Sequence, residues 1–252
     1  MAAPGFVDVH AHVVPSGDDG AASIEHALEL CRIAVDAGTR VLFATPHAHA
    51  PWDRYPLTPA RRRTYDDAFP VVRDAVAAWG LELRRGFEVF PTVLDHDVDP
   101  RDYRLDGTDA VLLEFPGWWL DYPDPIPMLV EAGRRAEAAG LVPVLAHPER
   151  CPAVSDDPSI VRPLAERGWH LCLNAPSLLG DHGGTSEKAA WQLLEDGVVT
   201  IAASDAHGLE RPPRLDLAFR AVERRYGREA AVPLFDGSVL PWADRGAATV
   251  VV

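Results

Sequence analysis

Lysine is almost absent: Lys188, inside a helical stretch, is the only one among 252 residues. That argues against barrel hydrolases whose two metals are bridged by a modified strand-end lysine. Cysteine is scarce. Cys31, Cys151 and Cys172 have neither thiolate-metal nor disulfide spacing, and none is followed by arginine six positions later, so the Cys-x5-Arg phosphatase loop is excluded. The odd, sparse count fits a reducing cytoplasm. No G-x-S-x-G elbow, G-x-G-x-x-G turn or Walker loop occurs. Positive charge is short as well. The formal net charge is −14, whereas a nucleic-acid surface needs a basic footprint. No apolar run approaches membrane-spanning length, and MAAPGFVDVHAH has neither the basic nor the apolar region of a signal peptide. These absences predict a cytoplasmic protein with no membrane insertion and no nucleic-acid partner.

What is present supports a sizeable core. Hydrophobic residues make up 47% of the chain, and no linker divides it, so a single domain over 1–252 is expected. Short apolar runs alternate with helical stretches. The runs are FVDVHAH (6–12), RVLFATPH (40–47), LELRRGFEVF (81–90), AVLLEFP (110–116), LVPVLAHP (141–148), WHLCLNAP (169–176) and VVTIAASDAHG (198–208). Ser23 and Thr58 are the expected caps of the first two helices, with Pro59 at the first helical position of the second. Strand–helix alternation predicts parallel strands with helical crossovers, and runs apolar at nearly every position predict strands buried on both faces. An open doubly wound sheet and a closed barrel both satisfy this pattern.

The polar residues favour the barrel. Five histidines and four acids stand at or near the places where apolar runs stop: His10, His12, Asp19, His47, Glu88, Glu114, His147, Asp205 and His207. Only a barrel brings every strand end to one mouth. About seven strands are visible rather than the usual eight. Imidazole and carboxylate together suit zinc, iron or manganese. His10 and His12, two apart on a strand, leave the same face. His26, His49, His96, His170 and His182 read as surface or local structural residues, the acidic run at 95–99 as a loop without ligands, and Arg61, Arg62 and Arg63 as a solvated helix face.

The motifs H-A-H, D-D-G, A-T-P-H, G-F-E-V, L-L-E-F, A-H-P-E-R, N-A-P-S-L-L-G and A-S-D-A-H, in this order, resemble the polymerase-and-histidinol-phosphatase (PHP) superfamily. More narrowly they resemble the bacterial manganese-dependent protein-tyrosine phosphatases of capsule and exopolysaccharide operons. The resemblance implies an α/β fold, a distorted (β/α)7 TIM-like barrel, with three divalent metals, manganese first and iron or zinc as alternatives. It implies His10, His12, Glu88 and Asp205 on the first metal. Glu88, Glu114 and His147 would hold the second, and Asp19, His47 and His207 the third. Arg150 and Arg211 match arginines that grip phosphate, a task planar guanidinium suits. The implied chemistry is phosphomonoester hydrolysis by a hydroxide shared between two metals, with Asp205, His207 or water as candidate proton donors. The implied partner is a phosphotyrosine protein, such as a bacterial tyrosine kinase. A small phosphomonoester such as histidinol phosphate, or a non-catalytic metal-bound regulatory module, is the alternative reading.

Overall fold

Parallel strands, most of them buried on both faces, form the centre of the computed structural model, which describes residues 5–51, 53–95, 98–117 and 124–243. The acidic run at 95–99 lies partly outside these residues, and the Val250–Val252 tail lies wholly outside them. The strands are β1 (Phe6–Ala11), β2 (Thr39–Ala44), β3 (His47–Ala48), β4 (Glu82–Arg85), β5 (Glu88–Val89), β6 (Ala110–Glu114), β7 (Val142–Ala146), β8 (His170–Asn174) and β9 (Ile201–Ala203). Pairing follows chain order: β1 with β2, β2 with β4, β3 with β5, then β5-β6-β7-β8-β9, all parallel. β3 continues the line of β2 past Pro46, and β5 that of β4 past Gly86. Glu88 N donates to Pro46 O at 3.1 Å and Gly86 N to Ala44 O at 3.0 Å, which bridges the breaks. Nine short strands thus occupy seven positions.

The seventh position meets the first. Ala11 and Ala206 form a parallel bridge, His12 N donates to Ala206 O at 2.7 Å, and Asp205 N donates to His10 O at 2.8 Å. The result is the expected distorted (β/α)7 barrel. Its interior holds apolar side chains from nearly every position, among them Val9, Phe43, Leu112, Val144, Cys172 and Ala203. A larger apolar layer lies between strands and helices.

Local sequence accounts for the outer helices. In α1 (Ile24–Asp36), Ser23 caps by accepting from His26 N, and the buried face is Ala27, Leu30, Cys31 and Ala34, the three-and-four spacing of an amphipathic helix. In α2 (Pro59–Ala77), Thr58 caps and Pro70 sits inside the helix. A proline there cannot donate to the carbonyl four residues earlier. Arg85 Nη2 donates to that carbonyl, Asp66 O, at 3.4 Å instead. The crossovers continue with α3 (Ile126–Ala138), α4 (Pro152–Asp156) and α5 (Arg162–Glu166), α6 (Gly184–Glu195), and α7 (Asp216–Tyr226) followed by α8 (Arg228–Phe235).

Three details complete the architecture. The crossover from β5 to β6 carries only 3-10 turns, Pro91–Asp95 and Pro100–Tyr103, among the described residues. The stretch after β7 is split, because Pro152, Pro158 and Pro163 each begin a separate turn. α8 has no counterpart in the expected elements; its Phe235 ring packs against Phe6 and Phe219, with centroids 6.1 and 5.7 Å away.

Candidate metal centre

The first strand carries a bulge. Val7 and Val9 face the barrel interior, yet so do His10 and His12, and the register with β2 shifts between Asp8 and Ala11. A bulge re-aims side chains in this way. Asp8 secures it: its Oδ1 accepts from Ser204 N at 3.0 Å and from His10 N at 3.3 Å. Two-residue spacing therefore does put both imidazoles on one face, but strict alternation would have added Asp8, which serves the backbone instead.

Two other ligand candidates depend on unusual backbone. His147 and Asp205 are the only described non-glycine residues with positive φ, at 43° and 49°. The left-handed region costs about 1–2 kcal/mol for a residue with a Cβ. Neighbouring strands hold both residues there: His147 N donates to Cys172 O at 2.7 Å and Asp205 N to His10 O at 2.8 Å. Each side chain is thereby directed into the same cleft as Glu88 and Glu114.

The D-D-G turn delivers the next residues. A Cβ on Gly20 would lie 2.4 Å from His12 O, so the turn can press against strand β1 only with glycine there. Asp18 Oδ2 stands 3.1 Å from His12 Nδ1 and accepts from His47 N at 3.1 Å. It orients His12 from behind, as carboxylates do for metal-bound imidazoles. Asp19 Oδ1 is 3.5 Å from both His47 Nε2 and His207 Nε2, and its Oδ2 accepts from Tyr55 Oη at 2.9 Å.

Glu88 is the hub. Its Oε2 is 3.3 Å from His10 Nε2, 3.3 Å from His12 Nε2 and 2.9 Å from His47 Nδ1, while Oε1 is 2.8 Å from His147 Nε2. Oε2 is fully buried and has no hydrogen-bond partner despite those three imidazoles. A buried carboxylate oxygen in that position is costly unless a cation shares it.

Three groups of donor atoms each lie within 4.8 Å: His10, His12, Glu88 and Asp205; His12, Asp19, His47 and His207; and His47, His49 and Glu114. The first group is the expected first-metal set, and the second contains the expected third-metal set together with His12. The third departs from expectation. Glu114 is grouped with His47 and His49, and His147 pairs with Glu88. The donors are nitrogen and oxygen without thiolate, so the residues fit divalent cations of the manganese, iron or zinc kind.

The electrostatics agree with that fit. Burial alone would raise the Glu88 carboxyl, but His10 and His47 hold it well below the usual carboxylate range. Asp205 is also held well below, against its burial, by His10 and Arg211. Burial and the neighbouring His12 push His207 down to about 3, so it is neutral. Burial and the His47 charge would lower His12, yet Asp18 and Glu88 push it up to about 9. Ionised carboxylates gather protons onto imidazoles here, and such protons are what a metal displaces.

Arg150 and Arg211 converge on one atom. Arg150 Nη1 donates to Asp205 Oδ2 at 3.1 Å and Arg211 Nη2 at 2.6 Å. Asn174 Nδ2 donates to the same oxygen at 2.8 Å. Both arginines line a cleft of about 280 Å3 with Asp19, His47, Glu88, Glu114, His147, Asp205 and His207. His10 and His12 lie just beneath, at 0% and 1% exposure. The nine expected ligand residues and both arginines therefore share one site.

Sequence reasoning missed three contributors. Asp18, beside Asp19 in the D-D-G turn, is not among the nine expected ligands. Arg61 is no solvated residue: it donates to Ser16 O at 3.0 Å, Tyr55 O at 2.7 Å and His47 O at 3.2 Å, clasping two site loops. His49 read as a local structural histidine, yet it is buried with Nε2 only 2.9 Å from Glu114 Oε2. Its signal was available: the tripeptide H-A-H occurs at 10–12 and again at 47–49.

Comparison with known proteins now places the chain. The family model for capsular polysaccharide synthesis, CpsB/CapC, matches residues 6–237. The chain belongs to the CpsB/CapC family. Among its relatives is the tyrosine-protein phosphatase YwqE of Bacillus subtilis, 29% identical over 243 residues, covering 93% of this chain and 91% of that protein. The tyrosine-protein phosphatase CpsB of Streptococcus pneumoniae is 26% identical over 240 residues, covering 91% and 95%. A solved structure from work on YwqE and CpsB, described as unique metal-dependent tyrosine phosphatases, superposes with a TM-score of 0.75 at 28% identity over 90% of each chain. The phosphotriesterase homology protein of Escherichia coli, at TM-score 0.55 and 8% identity, shares the fold alone. No helix among the described residues is long and apolar enough to cross a membrane.

Proposed function

We propose that this family member is a metal-dependent protein-tyrosine phosphatase, acting as one domain in the cytoplasm on phosphotyrosine proteins, with a bacterial tyrosine kinase as candidate substrate. The convergence of nine strand-end and loop ligands beneath two arginines in one cleft carries the reading. The proposed load is three manganese ions: one on His10, His12, Glu88 and Asp205, one on Glu88, Glu114 and His147, and one on Asp19, His47 and His207. When bound, such cations supply Lewis acidity and an activated water for attack on phosphorus.

The chain's own residues supply the rest. Arg150 and Arg211 present two guanidinium groups at the cleft, and their planar donors match the non-bridging oxygens of a phosphoryl group. Asp205 restrains both side chains through a single oxygen, so they are already positioned when the dianion arrives. A tyrosine phenol has an ordinary pKa of about 10, so its oxygen leaves with less proton assistance than an alkoxide needs. That suits a site where Asp205 is ionised and His207 neutral, charge states of ligands rather than of proton donors.

The test is removal of divalent ions by chelation, followed by add-back of manganese, iron, zinc or cobalt, with phosphotyrosyl peptide and histidinol phosphate as parallel substrates. Activity should vanish on chelation, return with manganese and favour the peptide. Inertness with every metal refutes the phosphatase reading, and preference for histidinol phosphate refutes the tyrosine assignment.

A further inference from the structure

His49 lies outside the ligand set proposed above, and its surroundings are those of a ligand. Its side chain is 3% exposed. Nε2 lies 2.9 Å from Glu114 Oε2, and Nδ1 lies 3.4 Å from Asp53 Oδ1. Nδ1 is buried and makes no hydrogen bond. The backbone on either side is fixed: His49 N donates to Tyr55 O at 3.2 Å, and Leu57 N donates to His49 O at 3.1 Å. Phe90 and Tyr55 wall the ring, with centroids 5.2 and 5.8 Å away. The donor atoms of His47, His49 and Glu114 fall within 4.8 Å of one another, the same closeness that unites His10, His12, Glu88 and Asp205.

We propose that His49 is an additional protein ligand to the cation held by Glu114, with Asp53 as the carboxylate that orients it. This rests on the metal-dependent reading above. Two electron-rich atoms 2.9 Å apart, Nε2 and the Glu114 oxygen, need either a proton or a cation between them. With its proton on Nε2 the ring donates to Glu114 and leaves Nδ1 a bare acceptor facing a second carboxylate, Asp53. Alternatively, Nδ1 keeps its proton toward Asp53 while Nε2 gives its lone pair to a metal. The second form is the carboxylate–histidine–metal arrangement, and Asp18 behind His12 already provides one example in this cleft. The parallel extends to sequence: both H-A-H tripeptides close adjacent barrel strands, and in both the two histidines belong to one group of close donor atoms. His49 would give the Glu114 cation a donor from just past β3 in addition to those from β5, β6 and the end of β7.

The decisive measurement is metal binding. Wild type, His49→Ala, His49→Asn and Asp53→Asn are loaded with manganese, dialysed at fixed free metal and assayed for metal content, with affinity read by titration and cobalt coordination by absorption. Both His49 variants should lose one equivalent, or bind it at least about tenfold more weakly, and Asp53→Asn should weaken the same equivalent by about tenfold. The cobalt spectrum of that site should change in each. His49→Asn keeps a polar side chain of similar bulk, so it separates ligation from packing if His49→Ala folds poorly. Unchanged stoichiometry and affinity in His49→Asn would overturn this inference alone. A wild type that binds no divalent cation would overturn it together with the phosphatase reading.

Discussion

Replacing Asp205 with asparagine separates the chemistry of this site from its architecture. Asp205 has left-handed backbone, φ 49°, which asparagine tolerates and alanine does not, so Asp205→Asn avoids about 1–2 kcal/mol of strain that Asp205→Ala would add. What asparagine loses is charge. Oδ2 accepts from Arg150, Arg211 and Asn174 at 3.1, 2.6 and 2.8 Å, and Oδ1 faces His10 Nε2 at 3.3 Å. A hydrogen bond to a charged group contributes about 1.5–3 kcal/mol. Arg211 is a third exposed, which discounts its share. A total loss of roughly 2–3 kcal/mol follows, or a fall in Tm of about 5–10 °C for a chain of this size. The fold survives that.

Activity should not. Asp205→Asn removes the charge of a proposed ligand and weakens the hold on Arg150 and Arg211, the proposed phosphate grips, and kcat/KM for an aryl phosphate should fall at least about a hundredfold, equivalent to about 2.7 kcal/mol of transition-state stabilisation. A bound cation stabilises the folded state by about 2.7 kcal/mol at a hundred times its Kd. The manganese-induced rise in Tm should therefore shrink in the variant. Calorimetry with and without manganese, beside p-nitrophenyl phosphate kinetics, checks both. If kcat/KM stays within about threefold of wild type and the manganese-induced shift is intact, the reasoning about Asp205 is wrong.

Two further outcomes are expected. Gly20→Ala sets a Cβ against His12 O and displaces the turn carrying Asp18 and Asp19; metal titration should show weaker binding, with far-UV circular dichroism unchanged. His182 is held down to about 4, from an ordinary 6.5, by burial and by Arg150 and Arg211. The unfolded chain therefore binds the extra proton between those values, and stability falls as pH drops from about 6.5 to about 4. His182→Asn should flatten that part of the stability–pH curve in denaturant titrations, and an unaltered slope would contradict the assignment.

Much of the fold is legible in the chain. Seven runs became seven strand positions, most of them apolar at nearly every residue as strands buried on both faces must be; LELRR is the exception, with Glu82 exposed and Arg84 and Arg85 half-buried. Ser23 and Thr58 cap where the sequence places them, because a side-chain oxygen there satisfies a free helix amide. The strand-end histidines and acids were visible for the converse reason: buried polar groups repeated at strand ends are poor packing without a shared partner.

Which donor faces which was decided only by tertiary structure. The bulge after Asp8 turns His10 and His12 inward, and it depends on Ser204, almost the whole chain away. The positive φ of His147 and Asp205 is held by hydrogen bonds from neighbouring strands, which no local propensity encodes. His49 looked ordinary because its two carboxylates lie 4 and 65 residues distant, and only the parallel pairing of β3 with β5 and of β5 with β6 brings the farther one to 2.9 Å. Residue type and spacing determined that histidines and acids would gather at one end of a parallel barrel. The pairing of strands with one another, a matter of long-range backbone hydrogen bonds, decided which of those donors lie together.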